Sequence, residues 1–217
     1  MKVAMFQPPF FGATYLAARA AEVDLFILSG TDQFTKHSPD MQGKNQKTGQ
    51  SHTLVADGWI TLQTTTSMKP IDETRTLIDQ HWIDKTMRRL DYLYRTPEWK
   101  QVRAEVEDLL VLGSYYDLGD FNEHLFEWGL RKLGISTRIA RDKYIAQRSE
   151  NKSDTALELA KAVNATEYVT GAPGFAYLDH EKWAEAGIKV TIQNWTPPEG
   201  LNPVSSILHL VASGISI

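Results

Sequence analysis

The sequence predicts an α/β fold, a mostly parallel sheet flanked by helices, with an inserted and mainly helical segment at about residues 71–133. Three observations carry this. At the N-terminus a short apolar strand (3–6), an alanine-rich helix (ATYLAARAAE, 13–22) and a second strand (VDLFILS, 23–29) follow in the order that makes a parallel pair. The second strand is apolar on both faces, as in sheets covered by helices on both sides. Strand and helix signals then alternate again in the C-terminal third of the chain.

Taken in order, residues 31–50 (TDQFTKHSPDMQGKNQKTGQ) turn polar and read as a long loop or irregular hairpin. Loops of that length inside a compact domain are commonly functional. Thr53–Val55 and Trp59–Thr66 carry β-branched residues and are expected to pair as strands. Residues 71–112 read as mostly helical: Trp82, Met87, Leu90 and Leu93 share one apolar face, and a second helix begins at Pro97 and ends near Gly113. Asp120 is the expected N-cap of a helix over 121–133 that Gly134 stops. Ile135–Ala140 reads as a strand, Asp154–Asn164 as a helix, and Tyr168–Thr170 as a strand running into GAPG. A helix over 180–186, the strand IKVTIQN and a final helix SSILHLVASG, with a serine cap and a stopping glycine, complete the chain.

A chain of 217 residues with 42% hydrophobic content can bury one substantial core. It is expected to form one domain over 1–217. No run of about 18 or more consecutive apolar residues is present, and the N-terminus lacks the order of a signal peptide. Membrane insertion is therefore not expected, and a soluble, cytoplasmic protein is. With no cysteine, disulfides, thiolate metal sites and cysteine nucleophiles are excluded. A formal net charge of -4 disfavours broad, sequence-independent attraction to nucleic acid.

Two loops occupy the place where α/β sheets collect ligands, beyond the carboxyl ends of strands. In the first, FQPPFFGATYL, Gln7 and the small Gly12 would let a ligand approach backbone N–H groups near a helix start, and two prolines would stiffen the loop. In the second, GAPGFAYLD, Gly171 and Gly174 would adopt backbone conformations closed to other residues, with Tyr177 and Asp179 supplying a phenol and a carboxylate. Neither is a Walker motif or GxGxxG, and for each loop a structural turn is the equal alternative to a ligand site.

Several segments resemble one family along nearly the whole chain. They are MKVAMFQPPFF with VDLFILSGTDQFTK, HWIDKTMRRLDYLYRTPEW, and the C-terminal run from SENKSDTALELAKAVNATEYVTGAPGFAYLD through GIKVTIQNW to SSILHLVASG. The chain resembles the WbqC-like family, and the QP near the start, QFTK at 33–36 and YVTGAPGFAYLD at 168–179 are the most specific parts. The resemblance implies a role with bacterial O-antigen and other surface-polysaccharide genes, in making or attaching an unusual sugar substituent. The family's tract after QFTK is richer in arginine, with an Arg-Asn pair; this chain supplies Lys44, Asn45 and Lys47 instead. The layout is also similar to nucleotidylyltransferase-like folds, yet the HxGH signature is absent, so the similarity implies a fold and not that chemistry.

A transferase handling a phosphate-activated group needs cations and donors for the phosphate and a base for the incoming amine or hydroxyl. Lys36, Lys44 and Lys47 are the candidate cations, with Asn45 beside them; as a solvated surface run they need no such role. Gln7 and Gln33 are candidates to position a polar ligand through side-chain amides, and equally to serve as buried structural amides. Asp32, His37 and Asp179 are the candidate bases. Phe10, Phe11 and Phe175 lie in the ligand loops and would either stack on a base or sugar or pack those loops down. No H-E-x-x-H or carboxylate cluster with ligand spacing occurs, so no metal or other cofactor is called for. The expected function is a transferase modifying a phosphate- or nucleotide-activated sugar. The alternatives are amino-acid transfer onto a pyrophosphate-activated pyrimidine in DNA, as in viral base hypermodification, and a non-catalytic binding or adaptor subunit.

Overall fold

The computed structural model describes residues 1–35, 37–39, 45–65, 68–149 and 151–217, with backbone alone for 37–39 and 45–47. A five-stranded parallel sheet forms its centre, made of β1 (Lys2–Phe6), β2 (Leu25–Leu28), β7 (Arg138–Arg141), β8 (Glu167–Thr170) and β9 (Lys189–Ile192) in the order β7-β2-β1-β8-β9. Val3 pairs with Leu25 on one side and with Tyr168 on the other. The chain thus builds outward from β1 to β2 and β7, then returns across the sheet to lay β8 and β9 on the far side. All four residues of β2 are buried, as expected of a strand apolar on both faces.

Helix α1 (Thr14–Ala21) connects β1 to β2 and packs on one face with α4 (Leu118–Lys132) and α8 (Ile207–Ser213), burying Ala4, Phe26, Leu28 and Val169 against Leu16, Phe126 and Ile207. The other face carries α5 (Lys152–Ala162) and α7 (His180–Glu185), where Val3, Met5 and Ile27 meet Leu157, Leu159 and Trp183. Alternate strand residues therefore serve opposite cores, as the two-residue period requires. A further core joins α2 (Gln80–Leu93), α3 (Pro97–Leu112) and α4 with the antiparallel pair β5 (His52–Val55) and β6 (Gly58–Thr61). Within residues 31–50, β3 (His37–Pro39) pairs with β4 (Asn45–Lys47) as a short antiparallel hairpin. Among the described residues, no helix is long and apolar enough to cross a membrane.

Local chemistry sets the helix ends. Asp79, Thr96, Asn151 and Ser206 each accept a backbone N–H three residues on, worth about 1 kcal/mol per cap. The helix expected to start at Asp120 starts three residues earlier, with Asp117 at the cap position and making no side-chain cap bond. Asp120 is instead drawn into an ion cluster: the Arg141 guanidinium, 4% exposed, pairs with Asp72, with Asp120 at 2.9 Å and with Glu123 at 2.5 Å. Lys143 Nζ adds a contact to Asp72 at 3.1 Å. Gly30 and Gly119 close around Asp72, where a Cβ on either would overlap its carboxylate. Next to Arg141, the Asp142 carboxylate accepts the amides of Gly30 (3.1 Å) and Thr31 (3.3 Å) and the Thr31 hydroxyl, fixing the chain as it leaves β2.

Burying a guanidinium is tolerable only while its carboxylates stay in place, and removing one partner of such a set typically costs about 3–5 kcal/mol. We expect Arg141→Met to lower unfolding stability by about that amount in urea titrations. A second prediction concerns pH. Burial pulls the His209 pKa below its ordinary value, and the imidazole Nδ1 faces the Tyr94 hydroxyl at 3.0 Å. That hydroxyl accepts the Ala56 amide at 3.2 Å, which leaves its own proton for the neutral ring, and burial pushes the Tyr94 pKa up to about 12. The unfolded chain takes up a proton on His209 near pH 6.5 where the folded chain does not, so this contribution is complete above about pH 6.5 and is lost as pH falls toward the folded-state value. The melting temperature is expected to drop between about pH 7 and about pH 5.5, and His209→Gln to flatten that part of the profile.

Candidate functional site at the strand reversal

Between β1 and β8 the strand order reverses, and the loops leaving the two strands diverge to opposite faces of the sheet, opening a crevice at their carboxyl ends. A cavity of about 210 Å³ occupies it. Gln7 enters from the end of β1, Ser29 and Asp32 from the turn after β2, Lys152 and Thr155 from the first turns of α5, and Tyr177 from α6 (Ala172–Tyr177). Phe6 and the buried Tyr168, whose ring stacks on Trp183 at 4.8 Å, supply the apolar wall.

A relay of amides holds the polar side of the crevice. The Gln7 side-chain N–H donates to Asp32 Oδ2 at 3.1 Å, and the Gln7 carbonyl accepts from Gln50 Nε2. Gln50 Oε1 accepts the Thr35 amide at 3.0 Å. Arg148 Nη1 donates to Asp32 Oδ1 at 2.5 Å and to the Thr31 carbonyl at 3.0 Å. Beneath the relay, fully buried Asn122 of α4 donates to the carbonyls of Pro8 (2.9 Å) and Gln50 (2.8 Å), tying the first loop and the 31–50 segment to one side chain. Burial, and after it the Asp32 charge, push the Tyr177 phenol above its ordinary pKa, so at neutral pH it is an O–H donor.

The residues expected from the sequence are partly gathered here. Gln7, Asp32 and Tyr177 line the crevice. Asp179 does not; its carboxylate accepts the Lys182 amide at 3.3 Å as the cap of α7. The Gln33 amide contacts Met68 Sδ at 3.2 Å, away from the crevice lining. Lys36 and Lys44 lie outside the described residues, while His37, Asn45 and Lys47 are described as backbone in the β3–β4 hairpin.

Three expectations about the loops need correction. The first amides of α1 are not open to a ligand, because Thr14 N–H and Tyr15 N–H donate to the carbonyls of Ser205 (2.8 Å) and Pro203 (3.3 Å). The C-terminal segment already satisfies them. Gly12 does take a positive φ of 64°, next to Phe11 at 58°, but its bare Cα faces the Phe126 and Ile207 side chains rather than open space. Phe10 and Phe11 are each 1% exposed and pack into the helical core, Phe11 edge-on to Trp128 at 6.0 Å. GAPG, in turn, is not a free turn: α6 begins directly after Gly171, and neither Gly171 nor Gly174 has a positive φ. They are small for packing reasons, since a Cβ on Gly174 would strike the Thr170 hydroxyl and one on Gly171 would come to 2.9 Å from Arg19 Nη2.

Sequence reasoning did not single out Lys152, Arg148, Arg19 or Gln50. Lys152 follows the capping Asn151 and makes no ion pair among the described residues, a placement its position at a helix start after a strand could have signalled. Arg19 is 4% exposed and donates from Nε to Gln193 Oε1 at 3.0 Å, and burial lowers its pKa. It sits in the alanine-rich face of α1, where pattern alone reads it as a solvated charge. The first loop also lines a second cavity of about 150 Å³, bounded in part by Phe6, Phe10 and Gly12.

The uncharacterized protein Rv1507c of Mycobacterium tuberculosis (strain ATCC 25618 / H37Rv) is 28% identical over 205 residues, covering 88% of this chain and 84% of that protein. No solved structure matches the chain. The profile of the WbqC-like protein family matches residues 7–200, a span that begins at Gln7 and takes in both walls of the crevice. The chain belongs to the WbqC-like protein family.

Proposed function

We propose that the chain is a transferase acting on a phosphate- or nucleotide-activated sugar, in the synthesis of a surface polysaccharide of the O-antigen type. The observation that carries this reading is the crevice at the strand reversal, where Lys152 stands across from the Gln7–Asp32–Arg148 relay. α/β sheets bind their ligands at such reversals. In this reading the bond from the activated group to its phosphate breaks as the incoming amine or hydroxyl bonds to that group, Lys152 and the Tyr177 hydroxyl hold the departing phosphate, and Asp32 takes the proton from the incoming group. Gln7 and Arg148 orient the Asp32 carboxylate, and the stiff Gln7–Pro9 stretch, held by Asn122, lowers the ordering cost of binding.

Amino-acid transfer onto a pyrophosphate-activated pyrimidine in DNA is the second reading. The ring-lined cavity beside the crevice favours it, while the net charge of -4 favours the small-molecule substrate.

Calorimetric titration of the purified chain with inorganic pyrophosphate and with a sugar nucleotide tests the proposal. Both are expected to bind, and Lys152→Gln to weaken each by about tenfold, the size of one lost charge-assisted contact of 1.5–3 kcal/mol. Gln7→Ala is expected to lower turnover more than affinity while leaving the melting temperature within a few degrees. Equal affinities in wild type and Lys152→Gln, or no binding of either compound, would exclude the crevice as the phosphate site. Lys36→Ala, Lys44→Ala and Lys47→Ala in the same titrations test the three lysines nominated by sequence.

A further inference from the structure

The second cavity is formed by the first loop, the start of α1 and the β5–β6 pair, and takes no part in the chemistry proposed for the crevice. Its walls are aromatic: Phe6 meets Tyr15 edge-on at 6.1 Å, His52 meets Trp59 edge-on at 6.5 Å, and Phe10 closes the inner end. Thr53 lies in the same lining, 3% exposed, and its hydroxyl has no hydrogen-bond partner among the described residues. We propose that this cavity is a subsite for one planar heteroaromatic ring, a pyrimidine-type base carried by the phosphate-bearing substrate. The assignment rests on the phosphate reading of the crevice.

Four features select a base over other occupants. Ring faces and edges stack on a planar ligand without regard to its substituents. A sugar would bring several hydroxyls into a lining that offers few partners for them. A buried hydroxyl without a partner costs stability unless something completes it, and in this proposal one polar atom on the ring edge completes the Thr53 Oγ1. The amides at the start of α1, which could have drawn an anion into this cavity, are already taken by Pro203 and Ser205. A volume of about 150 Å³ is below the roughly 300–1,000 Å³ of sites for whole drug-sized ligands, which suits a single ring before a fused pair. Phe6 lines both cavities, and the proposal puts a ring in one and the phosphate of the same molecule in the other.

The test is a calorimetric comparison of uridine 5′-monophosphate, ribose 5-phosphate and uridine on the full chain. Uridine monophosphate is expected to bind wild type at least about tenfold more tightly than ribose 5-phosphate, in the range that stacking of one base supplies. Thr53→Val is expected to raise the melting temperature of the free protein, because an unpaired hydroxyl is removed, and yet to weaken uridine monophosphate several-fold with ribose 5-phosphate unchanged. A merely structural threonine would not give that opposition. Trp59→Leu is expected to bring the two affinities together. Equal affinities in wild type, or a preference kept by both variants, would overturn the subsite. If neither phosphate compound binds but uridine does, and Thr53→Val weakens it, the subsite stands and the crevice reading falls; if uridine fails too, the subsite falls with it.

Discussion

Arg141 and Asp142, consecutive at the end of β7, impose the constraint on which the rest of the molecule depends. The guanidinium is buried and draws Asp72, Asp120 and Glu123 to itself, which binds the turn at 71–73 and the start of α4 to the edge of the sheet. The neighbouring carboxylate captures the amides of Gly30 and Thr31 as the chain leaves β2. One residue faces the helical segment and the next faces the sheet, so the two halves of the molecule are joined by groups that cannot be separated without leaving a charge unpaired in low dielectric. Asp32 stands just beyond this clamp, and its position follows from it.

The crevice is a consequence of topology, and its polar lining is a consequence of the clamps around it. Gln7 comes from the central strand, Asp32 from β2 and Lys152 from α5, and no two of them are neighbours in sequence. Asn122 ties two parts of the polar side together by drawing the carbonyls of Pro8 and Gln50 to one amide. The loop carrying Gln7 is in turn anchored by Phe10 and Phe11, which are buried as deeply as any core residue. The position of Gln7 is therefore set from the inside, through side chains packed in the core.

Much of the fold was legible because its signals are local. VDLFILS reads as a strand buried on both faces, Thr96 with Pro97 announces α3, and Ser206 with Gly214 brackets α8. The lining of the candidate crevice was legible where a residue lies just past a strand end, as with Gln7 and Asp32, and where motif similarity marked the segment holding Tyr177. It was not legible for Arg19 or Gln50, whose contacts are with residues distant in sequence. Asp120 shows the same limit from the other side: it has a plausible local role as a cap and is claimed instead by a tertiary contact with Arg141. Pattern predicts which groups are polar and near a turn, whereas burial decides which of them remain available.

The central position of β1 also shapes how the molecule is assembled. Lys2 pairs with Glu167, and Thr166 donates its amide to the carbonyl of Met1, so the strand at the middle of the sheet waits for a partner some 165 residues along the chain. Closing that distance is entropically the slowest kind of pairing, and until it happens one edge of an apolar strand stays open. During synthesis β1, α1 and β2 emerge well before β8. A nascent chain of this topology therefore carries an unpaired, hydrophobic strand edge for most of its translation, and its yield in the cell depends on how well that edge is shielded until β8 arrives.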